Sequence, residues 1–237
     1  MSKDSLAGKL LRAGLLTAGA VGVYIYTLRP WLMGLGTSDD ERSCRLPGDD
    51  LVQNPKWSFT HAVTIHTEAD EIWPWLVQWG YGRAGFYSFD WLDSLLLGQG
   101  TLKSADHILP ELQELKTGDS LPVEPNGGGF VVERMETNRY ILLANRLDLL
   151  TMQRLQPGAP LPPDYVNVSW LWYLDPKGGC RTRMISRARV DIQTSKNQAM
   201  SIWVGEPLKP GSAIMDWGML QGIKRRAEEA GCVPNDQ

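Results

Sequence analysis

The chain has 237 residues, of which 43% are hydrophobic and 22% charged, and its net charge is −3. That balance suits a globular protein and lacks the basic surplus of a nucleic-acid binder, so no nucleic-acid partner is expected. Ten tryptophans exceed ordinary usage, and side chains of that size build a core, line a pocket or sit at an interface.

Residues 13–28 carry no charge; Lys3, Lys9 and Arg12 precede them and Arg29-Pro30 follows. Trp31, Leu32, Met33 and Leu35 prolong the apolar run. Residues 1–36 therefore read as a single-pass membrane anchor. Ala18-Gly19-Ala20 has the small-x-small form of a signal cleavage site, so a cleaved signal is the rival, with a buried or interfacial helix third. The early basic residues favour an N-terminus inside and a domain outside, but Arg29 and Arg42 weaken that vote and leave the side open.

Residues 37–56 are polar and contain Pro47-Gly48 and Pro55, which reads as an irregular linker. A domain over 57–231 follows, with 232–237 as a tail. Trp57–His66 alternates, placing Trp57, Phe59, His61, Val63 and Ile65 on one buried face of a strand. Thr67 looks like a helix cap with Asp70 three residues on, and Ile72, Trp75, Leu76 and Trp79 follow at helical spacing. Pro74 should kink that helix and Gly80 end it. Residues 86–97 read as a second helical stretch. Short strands are expected near 119–124, 129–135 and 140–147, with a glycine turn at Asn126–Gly129. Residues 151–164 form a proline-rich loop. A strand over 167–174 and its hairpin partner over 181–191 come next, the latter with Arg181, Arg183, Arg187 and Arg189 on one face. That arginine face reads as solvent-exposed, with steering of an anion as the alternative. Ser212–Ala230 is a long amphipathic helix with Met215, Met219, Ile223 and Ala227 on one stripe, stopped by Gly231. Consecutive strands without intervening helices imply an antiparallel sheet in an α+β fold.

Gly80-Tyr81-Gly82-Arg83-Ala84-Gly85 matches GxGxxG, but these glycines follow a helix and no βαβ alternation comes after them. A helix stop is the plainer reading; a nicotinamide-dependent oxidoreductase is the weaker one. Arg83, Tyr87 and Asp90 lie close together and could form a polar cluster at a pocket mouth. His107 beside Asp106 is a fourth acid–base candidate. His61 sits on an apolar face, where a hydrogen-bonded core histidine is the ordinary outcome. His61 and His66 point to opposite faces, and Cys44, Cys180 and Cys232 match no metal spacing, so neither a metal nor another cofactor is expected. An odd cysteine count also argues against a disulfide framework, although one bridge is possible outside the cytoplasm. No serine elbow, HExxH or P-loop is present. Trp73, Trp75, Trp79, Phe86, Tyr87, Trp91, Trp170, Trp172, Trp203 and Trp217 exceed what a core of this size needs, and several are expected to line a ligand cavity.

Ile65–Asp93 resembles the SRPBCC superfamily of START-like and polyketide cyclase-like proteins, in its strand–helix opening and in the phrase Gly82–Trp91. Ser104–Ile108 and Met215–Glu228 are similar to segments of one bacterial branch. The resemblance implies a helix-grip fold: a curved antiparallel sheet wrapped around the C-terminal helix, with an apolar cavity between them. It adds Met215 and Met219 to the expected cavity lining of Trp75, Trp79, Phe86, Tyr87, Trp91, Trp170 and Trp172. The expected function is membrane-tethered binding or transfer of a lipid-like or polyketide-like molecule. A cyclase- or dehydratase-like enzyme using Arg83, Tyr87, Asp90 or His107 is the alternative.

Overall fold

The structure is a computed structural model that describes residues 6–91, 94, 103–156, 158–195 and 198–230. Six strands form one sheet: β1 (Trp57–Ile65), β2 (Ser120–Pro122), β3 (Gly129–Glu136), β4 (Tyr140–Asp148), β5 (Tyr165–Pro176) and β6 (Thr182–Gln193). Their order is β1-β6-β5-β4-β3-β2 and every adjacent pair is antiparallel. The α+β class expected from the strand run is therefore the observed one, and its curled sheet with a C-terminal helix is the helix-grip arrangement. The β5–β6 hairpin is longer than the alternation suggested, pairing from Tyr165↔Gln193 to Pro176↔Thr182. Its loop turns through Gly178, Gly179 and Cys180, all at positive φ.

Among the described residues five α-helices with defined bounds accompany the sheet, besides helical backbone at Asp90 and Trp91 and a 3-10 turn at Pro110–Leu112. α1 (Leu6–Val23) runs through a π-helical turn (Tyr24–Leu28) into α2 (Arg29–Leu32), and α3 is Asp39–Ser43. α4 (Ala69–Gln78) follows β1, and α5 (Gln198–Ala230) closes the chain. α5 starts well before the expected Ser212, with Pro207 and Pro210 inside it. The N-cap of α4 is Glu68 rather than Thr67, and no side chain caps it. Residues 86–89 are not helical: Tyr87 sits at φ 60, which breaks the expected helix from Phe86, and helical backbone begins at Asp90. Most of 92–97, Gly231 and the tail lie outside the described residues.

Both edges of the sheet are protected. β2 is three residues long and ends in Pro122, which blunts one edge. The other edge, β1, is covered by the chain leaving α2: Thr60 N–H donates to Met33 O at 2.9 Å and Ala62 N–H to Leu35 O at 3.1 Å. This is why Thr60 and Ala62 are buried although they share the face expected to be polar. Gly36 permits the approach: at φ +72 it lies so near the Ala62 carbonyl that a Cβ there would collide with it.

Residues 37–56 pack onto the outer side of β6. Arg187, only 4% exposed, donates to the carbonyls of Glu41 and Cys44 and to Asp49 Oδ2. Arg183 makes two bonds to Glu41, at 2.7 and 2.9 Å, and Arg189 donates to the carbonyls of Val52 and Gln53. The arginine face expected to meet solvent is instead a clamp for this segment. Among the described residues no helix is long and apolar enough to cross a membrane, so the spanning anchor expected of residues 1–36 is not supported.

Candidate functional site

The inner side of the sheet carries an aromatic group centred on Trp79. Its ring lies 5.3 Å from Trp170, 6.2 Å from Trp172 and 6.2 Å from Phe86, and Trp170 and Trp172 are 5.0 Å apart. These spacings suit tilted aromatic packing. Trp79 and Trp172 are fully buried core residues. Trp170, two residues back on the same face of β5, closes one wall of a cavity of about 340 Å3.

That cavity lies between sheet and C-terminal helix. Trp57 and Phe59 of β1, Val168 and Trp170 of β5, and Ala188 and Val190 of β6 line it from the sheet. Phe86, Val123 and Phe130 close one end, and Ser212, Met215, Asp216 and Met219 face it from α5. Of the nine residues expected to line a ligand site, Phe86, Trp170, Met215 and Met219 line this cavity. Trp79 and Trp172 stand behind the lining. Trp75 and Tyr87 pack edge-on at 5.8 Å elsewhere in the core, and Trp91 is 69% exposed. Of Trp203 only the backbone is described.

The four polar candidates serve separate purposes. Arg83 donates to the carbonyls of Val77 and Trp79, satisfying acceptors left open at the end of α4. Burial lowers its pKa. Tyr87 is buried; its hydroxyl accepts from Gln78 Nε2 at 2.7 Å, and the Arg226 guanidinium lies 4.7 Å from its ring centre. Burial pushes its phenol up to about 12. Asp90 accepts from Ser104 Oγ at 2.6 Å, and Ser104 Oγ in turn accepts from Tyr87 N–H at 3.0 Å. This fixes the loop, and Arg83 and Asp90 together line a small pocket of about 100 Å3 beside the glycine turn, separate from the apolar cavity. His107 pairs with Asp106 at the surface, both more than two-thirds exposed. Tyr87 and Asp90 do not share a helical face, because Tyr87 precedes the helix.

The glycine motif is a closed turn. Gly80 and Gly85 exchange backbone hydrogen bonds at 3.0 and 3.2 Å, and α4, not a strand, precedes them. No helix N-terminus follows within the motif, so the geometry for a dinucleotide phosphate is missing.

The polar feature of the cavity was not singled out by sequence. Asp216 stands on α5 between Met215 and Trp217, and its side chain is 1% exposed. Oδ1 accepts from Trp170 Nε1 at 2.9 Å and Ser186 Oγ at 2.6 Å. Oδ2 lies 2.7 Å from Nδ1 of His61, whose side chain is fully buried. His61 Nε2 is 2.9 Å from the Leu32 carbonyl, and the ring stacks on Phe59 at 4.8 Å. A carbonyl can only accept, so Nε2 carries a proton. This chain of contacts links the end of α2, β1, α5, β6 and β5. A signal for it existed: Asp216 is four residues before Leu220 and seven before Ile223, so it belongs to the buried stripe of α5.

Among the described residues no group of three potential metal ligands is present. Cys180 is disulfide-bonded and Cys44 is free.

No family model matches the chain and no curated protein matches it by sequence. Among solved structures it is similar to CalU16 from Micromonospora echinospora, at 13% identity over 73% of this chain and 85% of that one, with a TM-score of 0.29. A hypothetical protein from Helicobacter pylori is 12% identical over 81% of this chain and 99% of its own, with a TM-score of 0.44. A conserved protein from Geobacillus kaustophilus is 10% identical over 74% of this chain and 98% of its own, with a TM-score of 0.31.

Proposed function

We propose that the chain is an SRPBCC-type helix-grip protein that binds or carries a hydrophobic small molecule between its sheet and C-terminal helix. The observation that carries this reading is the cavity of about 340 Å3, whose described lining is apolar except for Ser212 and Asp216. Such a concave apolar space with few polar groups is the usual form of a small-molecule site. Binding is favoured over cyclisation or dehydration because Arg83, Tyr87, Asp90 and His107 all lie off the cavity wall.

The test is organic extraction of the purified full chain followed by mass spectrometry, paired with titration by the neutral dye N-phenyl-1-naphthylamine. The reading expects a co-purifying hydrophobe, or one saturable dye site per chain with blue-shifted emission. A bare protein that also fails to take up the dye contradicts it.

Contact with a lipid surface is part of the same proposal. Leu15, Leu16, Val21, Val23, Leu28 and Trp31 are exposed along α1 and α2, and Leu32, where they end, packs beside the cavity residues Phe59 and Ala188. Co-sedimentation of the chain with phosphatidylcholine vesicles should be lost in the double variant Leu16→Glu, Val23→Glu. Equal sedimentation of both proteins would remove the membrane from the account.

A further inference from the structure

Independently of the cavity, we infer that Cys180 is bridged to Cys232 and that this bridge places the folded domain in an oxidising compartment outside the cytoplasm. The chain has three cysteines. Cys180 is disulfide-bonded and Cys44 is a free thiol, which leaves Cys232 as the partner within this chain. Cys232 lies outside the described residues, but the element that leads to it ends beside Cys180. Their meeting point is the loop between β1 and α4. Cys180, in the β5–β6 turn, donates its backbone N–H to Glu68 Oε1 at 3.1 Å, and Thr182 Oγ1 donates to the Thr67 carbonyl at 2.8 Å. From the same loop, His66 N–H donates to Glu228 Oε1 at 2.8 Å, on the last turn of α5. One turn earlier, Lys224 Nζ donates to the Thr64 carbonyl at 2.6 Å. The hairpin turn and the end of α5 are thus both fastened to residues 66–68. The described helix ends at Ala230, and two further residues lead to Cys232, a reach of at most about 7 Å of extended chain.

Forming the bridge joins the two sulfur atoms and removes two protons and two electrons from the thiols. The oxidant is a disulfide-bearing oxidoreductase. One cysteine thiolate attacks its disulfide, the other resolves the mixed disulfide, and the oxidant leaves as a dithiol carrying both electrons. Cytoplasmic thiol pools run that exchange backwards, so a bridge of this kind persists in secreted or periplasmic surroundings. It ties the closing helix to the β5–β6 hairpin at the end of α5 away from Ser212–Met219, the part of the helix that faces the cavity. Cys44 is exposed and unbridged, which makes it an internal reference for thiol labelling.

The test traps thiols in bacterial cells making the full chain, with N-ethylmaleimide added before lysis, and maps the protein by non-reducing trypsin digestion and mass spectrometry. Trypsin cuts after Lys177, Arg181 and Arg226, so the bridge should appear as peptides 178–181 and 227–237 joined together. Maleimide should be found on Cys44 alone. Cys180 carrying maleimide, or joined to Cys44 or to a second copy of itself, overturns the pairing. Repeating the trap in cells that lack their periplasmic disulfide-forming oxidoreductase reads the compartment. There the joined peptides should fall about tenfold or more, with Cys180 and Cys232 taking up maleimide. A fall of less than about twofold means that the bridge forms without that compartment, and overturns the placement of the domain.

Discussion

On the inner side of β6, Ser186, Ala188 and Val190 look across to α5 and the cavity; on the outer side, Arg183, Arg187 and Arg189 are held by carboxylates and carbonyls of residues 36–53. Both sides are covered, but by opposite means. The inner side is closed by aromatic and aliphatic packing that stops short of filling its space. The outer side is closed by directional bonds from guanidinium groups to carboxylates and backbone carbonyls. The contrast teaches that alternation along a strand tells which side chains share a face, not what lies over each face.

Substitutions can weigh the two sides against each other. The largest loss should come from the packed core behind the cavity: Trp172→Ala is expected to cost about 4 kcal/mol, read from urea unfolding. Arg187→Met comes next, at about 3 kcal/mol, because it strands Asp49 and the partly buried carbonyls of Glu41 and Cys44. A loss under 1 kcal/mol would mean that the outer clamp is decorative. Alkali probes both sides, Tyr87 in the core and Tyr165 with Asp191 on the outer side. Tyr87 is raised by burial, and Tyr165 is raised to about 12 by its bond to Asp191. Both phenols ionise more easily when unfolded, so stability is full below pH 10 and is lost as pH rises toward 12. Tyr87→Phe should flatten part of that slope; an unchanged slope would place Tyr87 in water.

Acid probes the outer side. The Arg183 guanidinium holds the Glu41 carboxyl below its usual range. Its contribution is present above the ordinary glutamate value and lost as pH falls through the depressed one. For a partly exposed pair this amounts to under about 1 kcal/mol, which Glu41→Gln should abolish in a pH series. The smallest effect on stability should come from Val168→Trp, within about 1 kcal/mol, because the new ring enters existing space.

Much of the fold was legible because its signals are periodic. The alternation from Trp57, the glycine turn before Gly129 and the stripe from Met215 each mark an element found near its expected place. Residues 37–56 were not legible as a cover for the sheet, because a segment without periodicity gives no sign of its partner; the signs lay far off, in the arginines of β6. The cavity was legible only in kind. An indole reads alike whether it faces a void, as Trp170 does, or is enclosed, as Trp79 and Trp172 are. His61 and Asp216 went unpaired because 155 residues separate them, and only the packing of α5 on β1 joins them.

The central claim is that the space between sheet and α5 is a ligand site. The most direct measurement is N-phenyl-1-naphthylamine binding by the wild-type chain and by Val168→Trp, with circular dichroism confirming that both are folded. The account predicts one saturable site in the wild type and none in the folded variant. Equal binding by both, or none by either, would contradict it.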